Sequence, residues 1–280
     1  MTSTWRGCNM FKLILIIFSL LITVGCEGDD IIIDDSLPTT VHFAMSDRIG
    51  DDNWQNFITV EINSDDIVTS VEMNSIKQTV MATRRDLAQL DDYEGAFGYD
   101  FYEQILMLEN SLIGLSRDEL ADAIEDFSDD ASFNTINFAY LAALALNSDP
   151  VEIGDYLDGW YQSISDVDDE GFQYFVNLFI KHGHIIAVHW NAISEDGTFK
   201  YDPSKATASH DEVIEWRNQA HFVEQSLLAR QDPTLFPFDE NGLSTDLPNV
   251  NIEVESFVSL ATQALAAGPL TRETRNDATD

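Results

Sequence analysis

The residues best equipped for chemistry gather late in the chain. Five of the six histidines fall after position 155, and His182, His184 and His189 stand close together. His182 and His184 flank Gly183, and a His-x-His pair on one strand face could serve zinc or copper if further ligands joined it. No cysteine is at hand to join, and a hairpin tip is an ordinary place for polar side chains, so no metal is assigned. Upstream, Asp166-Val-Asp168-Asp-Glu170-Gly171 sets acids and a glycine as a calcium loop opens. Its twelfth position is Asn177 instead of glutamate and the segment lies between two predicted strands, which excludes an EF-hand. Ser132 places a hydroxyl at the start of an apolar helix, where serine also serves as a cap. The chain has no Gly-x-Ser-x-Gly elbow, no phosphate-cradling Gly-Lys loop and no His-Glu-x-x-His helix, and no catalytic residue is assigned. Trp54, Phe57, Phe172, Phe175 and Trp190 could stack on a planar ring, but their alternation in strands points to core packing.

Positioning any of these residues falls to two related units. Residues 126–146 (DFSDDASFNTINFAYLAALAL) return as 245–265 (TDLPNVNIEVESFVSLATQAL). In the best register Phe138 falls on Phe257, Leu141-Ala142 on Leu260-Ala261, and Ala145-Leu146 on Ala264-Leu265. Residues 51–62 match 169–180, with Phe57 on Phe175 and Ile62 on Ile180, and Glu109-Asn-Ser-Leu112 matches Glu224-Gln-Ser-Leu227. An internal repeat fixes the architecture before any single element does. In the first unit, strands are expected at 41–45, 56–62 and 67–73, then helices at 78–90, 99–112, 117–125 and 134–146. Ser116-Arg-Asp-Glu119 has the form of a capping box. In the second unit, strands are expected at 160–165, 172–180 and 185–191, then helices at 212–228 and 254–267. Strands grouped before helices predict an α+β fold of two tandem repeats, each a small antiparallel sheet packed with helices. The units are placed at 39–147 and 155–267, with a polar tail at 268–280.

The first 25 residues carry Arg6 and Lys12, no acid, and an apolar run over 13–22 that is too short to span a bilayer. This is the form of a secretory signal. Leu21-Ile-Thr-Val-Gly-Cys26 resembles a bacterial lipobox, which makes Cys26 the lipidated residue and residues 26–38 an acidic tether. Cleavage would also remove Cys8 and leave no intramolecular disulfide, so the fold must rest on its core. The expected location is the bacterial cell envelope, with a lipid anchor in the membrane. Glu27 after the cysteine favours the outer membrane, facing the periplasm or the cell surface.

Fifty acidic against 14 basic residues give a formal net charge of −36. Such a surface repels nucleic acid and anionic headgroups, so no nucleic-acid partner is expected. The 44% hydrophobic content is that of a globular chain.

Asp168-Asp-Glu-Gly-Phe172, His184-Ile-Ile-Ala-Val188, Asn191-Ala-Ile-Ser-Glu-Asp-Gly197 and Leu227-Leu-Ala-Arg-Gln-Asp232 together resemble the FMN-binding domain family. That family includes tandem flavin-carrying bacterial lipoproteins and the flavin subunits of sodium-pumping NADH:quinone reductases. The resemblance implies FMN as cofactor, a flavin transferase and a redox partner protein, and a role as flavin carrier or accessory in extracytoplasmic electron transfer rather than as a stand-alone enzyme. The family's flavin loop carries a threonine ahead of the last helix. By register it becomes Asp129-Asp130-Ala131-Ser132 in the first unit, so Ser132 is the residue implied to bind the cofactor. In the second unit it becomes Pro248-Asn249-Val250-Asn251, with no hydroxyl and one N–H removed by proline. These departures define the other expectation, a non-redox binding or structural lipoprotein that has lost the cofactor.

Overall fold

The computed structural model describes residues 37–46, 54–79, 81–88, 98–128, 133–202 and 210–271. Cys26, Ser132, the signal segment, most of the tether and residues 272–280 of the polar tail lie outside the described residues. In the first half, β1 (Thr39–Met45), β2 (Gln55–Asn63), β3 (Val68–Lys77) and β4 (Ala82–Thr83) pair antiparallel in that order. Asn63 Oδ1 closes the β2–β3 turn by accepting the N–H groups of Asp65 and Ile67. Helices α1 (Arg84–Ala88), α2 (Gly98–Leu112), α3 (Arg117–Ser128) and α4 (Phe133–Leu146) follow. The capping box forms at α3: Glu119 accepts from the Ser116 N–H and hydroxyl at 2.9 and 2.7 Å. In the second half, β5 (Gly159–Val167), β6 (Phe172–Lys181) and β7 (His184–Ser194) form an antiparallel sheet. They precede α5 (His210–Arg230), a short 3-10 turn (Pro233–Leu235) and α6 (Glu255–Ala267). The fold is α+β with two antiparallel sheets, as the grouping of strands before helices predicts.

One element departs from expectation. A helix was predicted over 78–90, but β3 continues to Lys77, a turn follows, and the helix covers only Arg84–Ala88 among the described residues. Met81 adopts φ of +44° and, with Ala82, is buried. Met81 therefore enters the core between the sheets, and Ala82 pairs with β3 instead of forming a helix face.

Each half has its own core, and the repeat register is visible in both. Phe138 and Phe257 are fully buried, as are Ala142 and Ala261, and Ala145 and Ala264. Ile58, Val60 and Ile62 face α2 and α4, while Val176, Leu178 and Ile180 face α5 and α6. A third cluster joins Phe57, Ile76 and Met81 to Trp160, Phe179 and Ala187. The two sheets thus pack against each other through the faces their helices leave free, giving four layers: helices, sheet, sheet, helices. Residues from Leu37 onward form one compact unit.

Candidate functional site: an aromatic cleft in the second repeat

The cleft is built around Trp190 in the middle of β7. Strand alternation turns its side chain toward α5 and α6, where the ring meets Trp216 at 5.0 Å and Phe257 at 5.1 Å between centroids. The backbone of Trp190 is held on both sides. Its N–H donates to Glu224 Oε1 at 2.8 Å, and its carbonyl accepts from Arg217 at 2.5 Å. Arg217 and Glu224 also pair with each other along α5, at 3.3 Å. Burial pushes the Glu224 carboxyl up, but His221, Arg217 and the Trp190 N–H outweigh this and hold its pKa below the ordinary glutamate value.

The same device stands in the first repeat. Glu109, which the repeat register sets on Glu224, accepts from the N–H of Met73 at 2.6 Å and pairs with Arg85. Arg85 also donates to the Met73 carbonyl. Here burial prevails, and Glu109 titrates above its ordinary value despite Arg85 and the Met73 N–H. Methionine occupies the place of Trp190, so the first repeat lacks this aromatic floor.

Around Trp190 opens a cleft of about 600 Å³, lined by Tyr174 of β6, Trp216 of α5, residues of the bulged end of β5, and Ser256, Ser259 and Gln263 of α6. This is the size range of small-molecule sites. Tyr201 stacks on Trp216 at 3.8 Å and 5°, and its hydroxyl lies 3.2 Å from that of Tyr174. Lys200 sits over the rings of Phe172, Tyr174 and Tyr201 and pairs with Glu170 at 2.8 Å. Burial opposes its charge, but Glu170 and Tyr174 prevail and raise its pKa above the ordinary lysine value. Two carboxylates, Asp166 and Glu253, also line the cleft. The indole N–H of Trp190 is buried without an acceptor. The lining thus combines aromatic rings with the polar side chains of Ser256, Ser259 and Gln263.

The loop that the family resemblance assigns to flavin phosphate is partly engaged in this repeat, and so are the residues that lead from it into α6. Pro248 has no N–H, the Asn251 N–H donates to Gln219 at 2.5 Å, and the N–H groups of Val254 and Glu255 both donate to Gly242. In the first repeat the corresponding residues, Ser132 included, lie outside the described ones.

The histidines flagged by spacing serve other purposes. His182 Nε2 lies 2.8 Å from the Thr59 hydroxyl of the first repeat, and His184 Nε2 lies 2.6 Å from the Glu152 carbonyl. His189 is buried against Phe175 and Phe199, and burial lowers its pKa to about 4. In the segment resembling a calcium loop, Asp168 accepts two backbone N–H groups of its own turn, and Lys200 occupies the space beside Asp168 and Glu170. Among the described residues no cluster of three His, Cys, Asp or Glu could hold a metal ion. Trp54, Phe57 and Phe175 are core residues, as their alternation suggests, whereas Trp190 is both core and cleft floor. Sequence reasoning missed Trp216 and Tyr201, which lie in polar stretches with no aromatic spacing to mark them. A smaller cleft of about 410 Å³ opens between the sheets, but its cations Arg85 and Lys181 already pair with Glu109 and Glu72.

No family model and no curated protein matches this chain. It is similar to an NMR structure of a Clostridium thermocellum protein, at 31% identity over 41% of this chain and 95% of the other, with a TM-score of 0.33. It is also similar to a crystal structure of a Clostridium perfringens protein, at 16% identity over 45% of this chain and 94% of the other, with a TM-score of 0.30.

Proposed function

We propose that this chain is a lipoprotein of the bacterial envelope, anchored through Cys26, whose two FMN-binding-like repeats carry a flavin for extracytoplasmic electron transfer. The observation that supports this most is the cleft of the second repeat, with Trp190, Trp216 and Tyr174 around a space of about 600 Å³. A bound flavin would supply the redox chemistry, and the protein would contribute orientation, exclusion of water and electrostatics. Ser132 is the residue for covalent attachment in the first repeat, with a flavin transferase as the installing enzyme and a redox protein as the partner. Among the described residues no helix is long and apolar enough to cross a membrane, and in this reading the lipid provides the attachment.

The test is flavin content after co-expression with a flavin transferase. Native spectra should show a reversible flavin colour change. After acid precipitation, flavin that stays with the protein in the wild type and is lost in Ser132→Ala marks the first repeat as the covalent carrier. Flavin released into the supernatant marks non-covalent binding and removes Ser132 from the site. A protein that stays colourless and takes up neither FMN nor riboflavin refutes the electron-transfer reading. The second reading, a non-redox binding lipoprotein, is favoured by the engaged loop around Asn251 and predicts that colourless result.

A further inference from the structure

We propose that the outward face of α4, in the first repeat, is a docking surface for a basic amphipathic helix of a partner protein. This surface is independent of the flavin cleft. α4 carries no charged residue, and from Phe138 to Leu146 its side chains are apolar except for the Tyr140 hydroxyl. A helix apolar on all sides belongs in an interior. On the inner face Phe138, Leu141, Ala142 and Ala145 are buried in the first core. The outer face has no such cover among the described residues: Ile136, Tyr140 and Leu144, at i, i+4 and i+8, are 45%, 53% and 40% exposed. α2, which packs against α4, adds Met107 at 71% exposure.

The matching helix of the second repeat is built otherwise. The register that sets Phe138 on Phe257 sets the three stripe residues on Glu255, Ser259 and Gln263 of α6, all exposed. The same position in the fold thus accepts a polar face, and the apolar one is not a demand of packing. The surroundings select the occupant. α3 also packs against α4 and exposes Asp118, Asp122 and Asp126, while α2 exposes Glu103. Arg117 is the one basic residue in the sequence of these three helices, and it pairs with Asp66 at 3.1 Å. An apolar stripe beside acidic helices matches a partner helix with apolar anchors flanked by lysine or arginine. A second copy would bring the same acids, at −36 per chain, against them. Four partly exposed side chains also fall short of the roughly 800 Å² per partner of a stable interface, so charge pairing has to carry part of the affinity.

The probe is a fluorescent leucine/lysine peptide of about 18 residues with its leucines at helical spacing, long enough to hold a helix. Titrated with the full chain and followed by anisotropy, it should bind, and more weakly as salt rises. A scrambled peptide of the same composition should bind about tenfold more weakly, because its leucines form no stripe. Tyr140→Ser/Leu144→Gln installs the residues that α6 carries, so the fold should tolerate it. It should weaken the amphipathic peptide about thirtyfold and leave the scrambled one unchanged. Met107→Gln, on a different helix, should weaken it several-fold, and Asp118→Asn/Asp122→Asn should weaken it at low salt only. Equal binding of the two peptides, or binding that ignores both apolar variants, leaves only bulk charge attraction and overturns the proposal. A dimer in sedimentation that Tyr140→Ser/Leu144→Gln dissociates assigns the face to a second copy and overturns it as well. So does binding to phosphatidylcholine vesicles that the same variant abolishes, since the face then meets lipid.

Discussion

Removing the Glu224 carboxylate tests the logic of the cleft floor. In Glu224→Ala the Trp190 N–H, fully enclosed under α5, loses its acceptor, and Arg217 loses its counter-charge while its own side chain is only 20% exposed. Breaking a buried pair by removing one partner costs about 3–5 kcal/mol, much of it the orphaned charge. For a body of this size that corresponds to a fall in melting temperature of about 6–20 °C. Glu224→Gln keeps an acceptor of the same shape and should cost about 1–2 kcal/mol, since hydrogen bonds to charged groups exceed neutral ones by roughly that margin. The matching position supplies the control. Glu109 titrates above its ordinary value in the fold, so its charged form is held less favourably, and Glu109→Gln should cost less than Glu224→Gln. The pH dependence has opposite signs. Glu224, with a depressed folded pKa, contributes stability above its unfolded pKa that is lost as pH falls through the folded value. Glu109, with a raised one, costs stability as pH rises from its unfolded to its folded value. Urea denaturation of the three variants and the wild type at neutral pH measures the differences. A loss under about 1 kcal/mol in Glu224→Ala, or a greater cost for Glu109→Gln than for Glu224→Gln, would refute the reasoning.

Three further outcomes are expected. His189 stays neutral in the fold down to about pH 4 and titrates near 6.5 when unfolded, so stability should decline across that window by about 3 kcal/mol. His189→Leu should flatten that acid limb in urea titrations between pH 7 and 4, and an unchanged slope would discount burial as the cause. Gly183 has φ of +75° and any Cβ there would collide with the backbone of Gly154, so Gly183→Ala should cost about 1–3 kcal/mol or more; a wild-type melting curve would show that the joint is loose. The net charge of −36 makes self-repulsion a destabilising term that salt screens, so the melting temperature should rise from 10 mM to 1 M sodium chloride; a fall would show that exposed ion pairs outweigh repulsion.

Most of the skeleton was legible because the repeats share a periodic core. The pairs Phe138/Phe257 and Ala142/Ala261 are buried as the register requires, and Glu109 and Glu224, matched in the repeat with no role assigned, make the same clamp in the structure. The arginine completing that clamp was not legible, because it comes from α1 in one repeat and from within α5 in the other. The stretch after β3 misled because Met81 enters the core between the sheets and Ala82 pairs with Lys77 as a short strand, where apolar spacing suggested a helix. The cleft was half legible. Trp190 stands in an alternating strand, but Trp216 meets it from 26 residues away and Tyr201 stacks on Trp216 from a loop, a proximity that no local pattern encodes.

The histidine-bearing hairpin shows how the two repeats depend on each other without sharing the cleft. His182 meets Thr59 across the joint, its carbonyl accepts from the Gly154 N–H at 2.9 Å, and Lys181 pairs with Glu72 at 2.9 Å. These contacts, with Phe57 and Phe179 in the shared core, bury the second face of strands that their own helices cover on the first. Either repeat alone would expose that face, and a large exposed apolar surface is what association in tandem removes. Strand alternation then divides the labour within β7: Ala187 faces the neighbouring sheet, while Trp190 faces α5 and α6 and floors the cleft. The two faces of one strand thus serve separate packing tasks, one at the joint between the sheets and one beneath the helices.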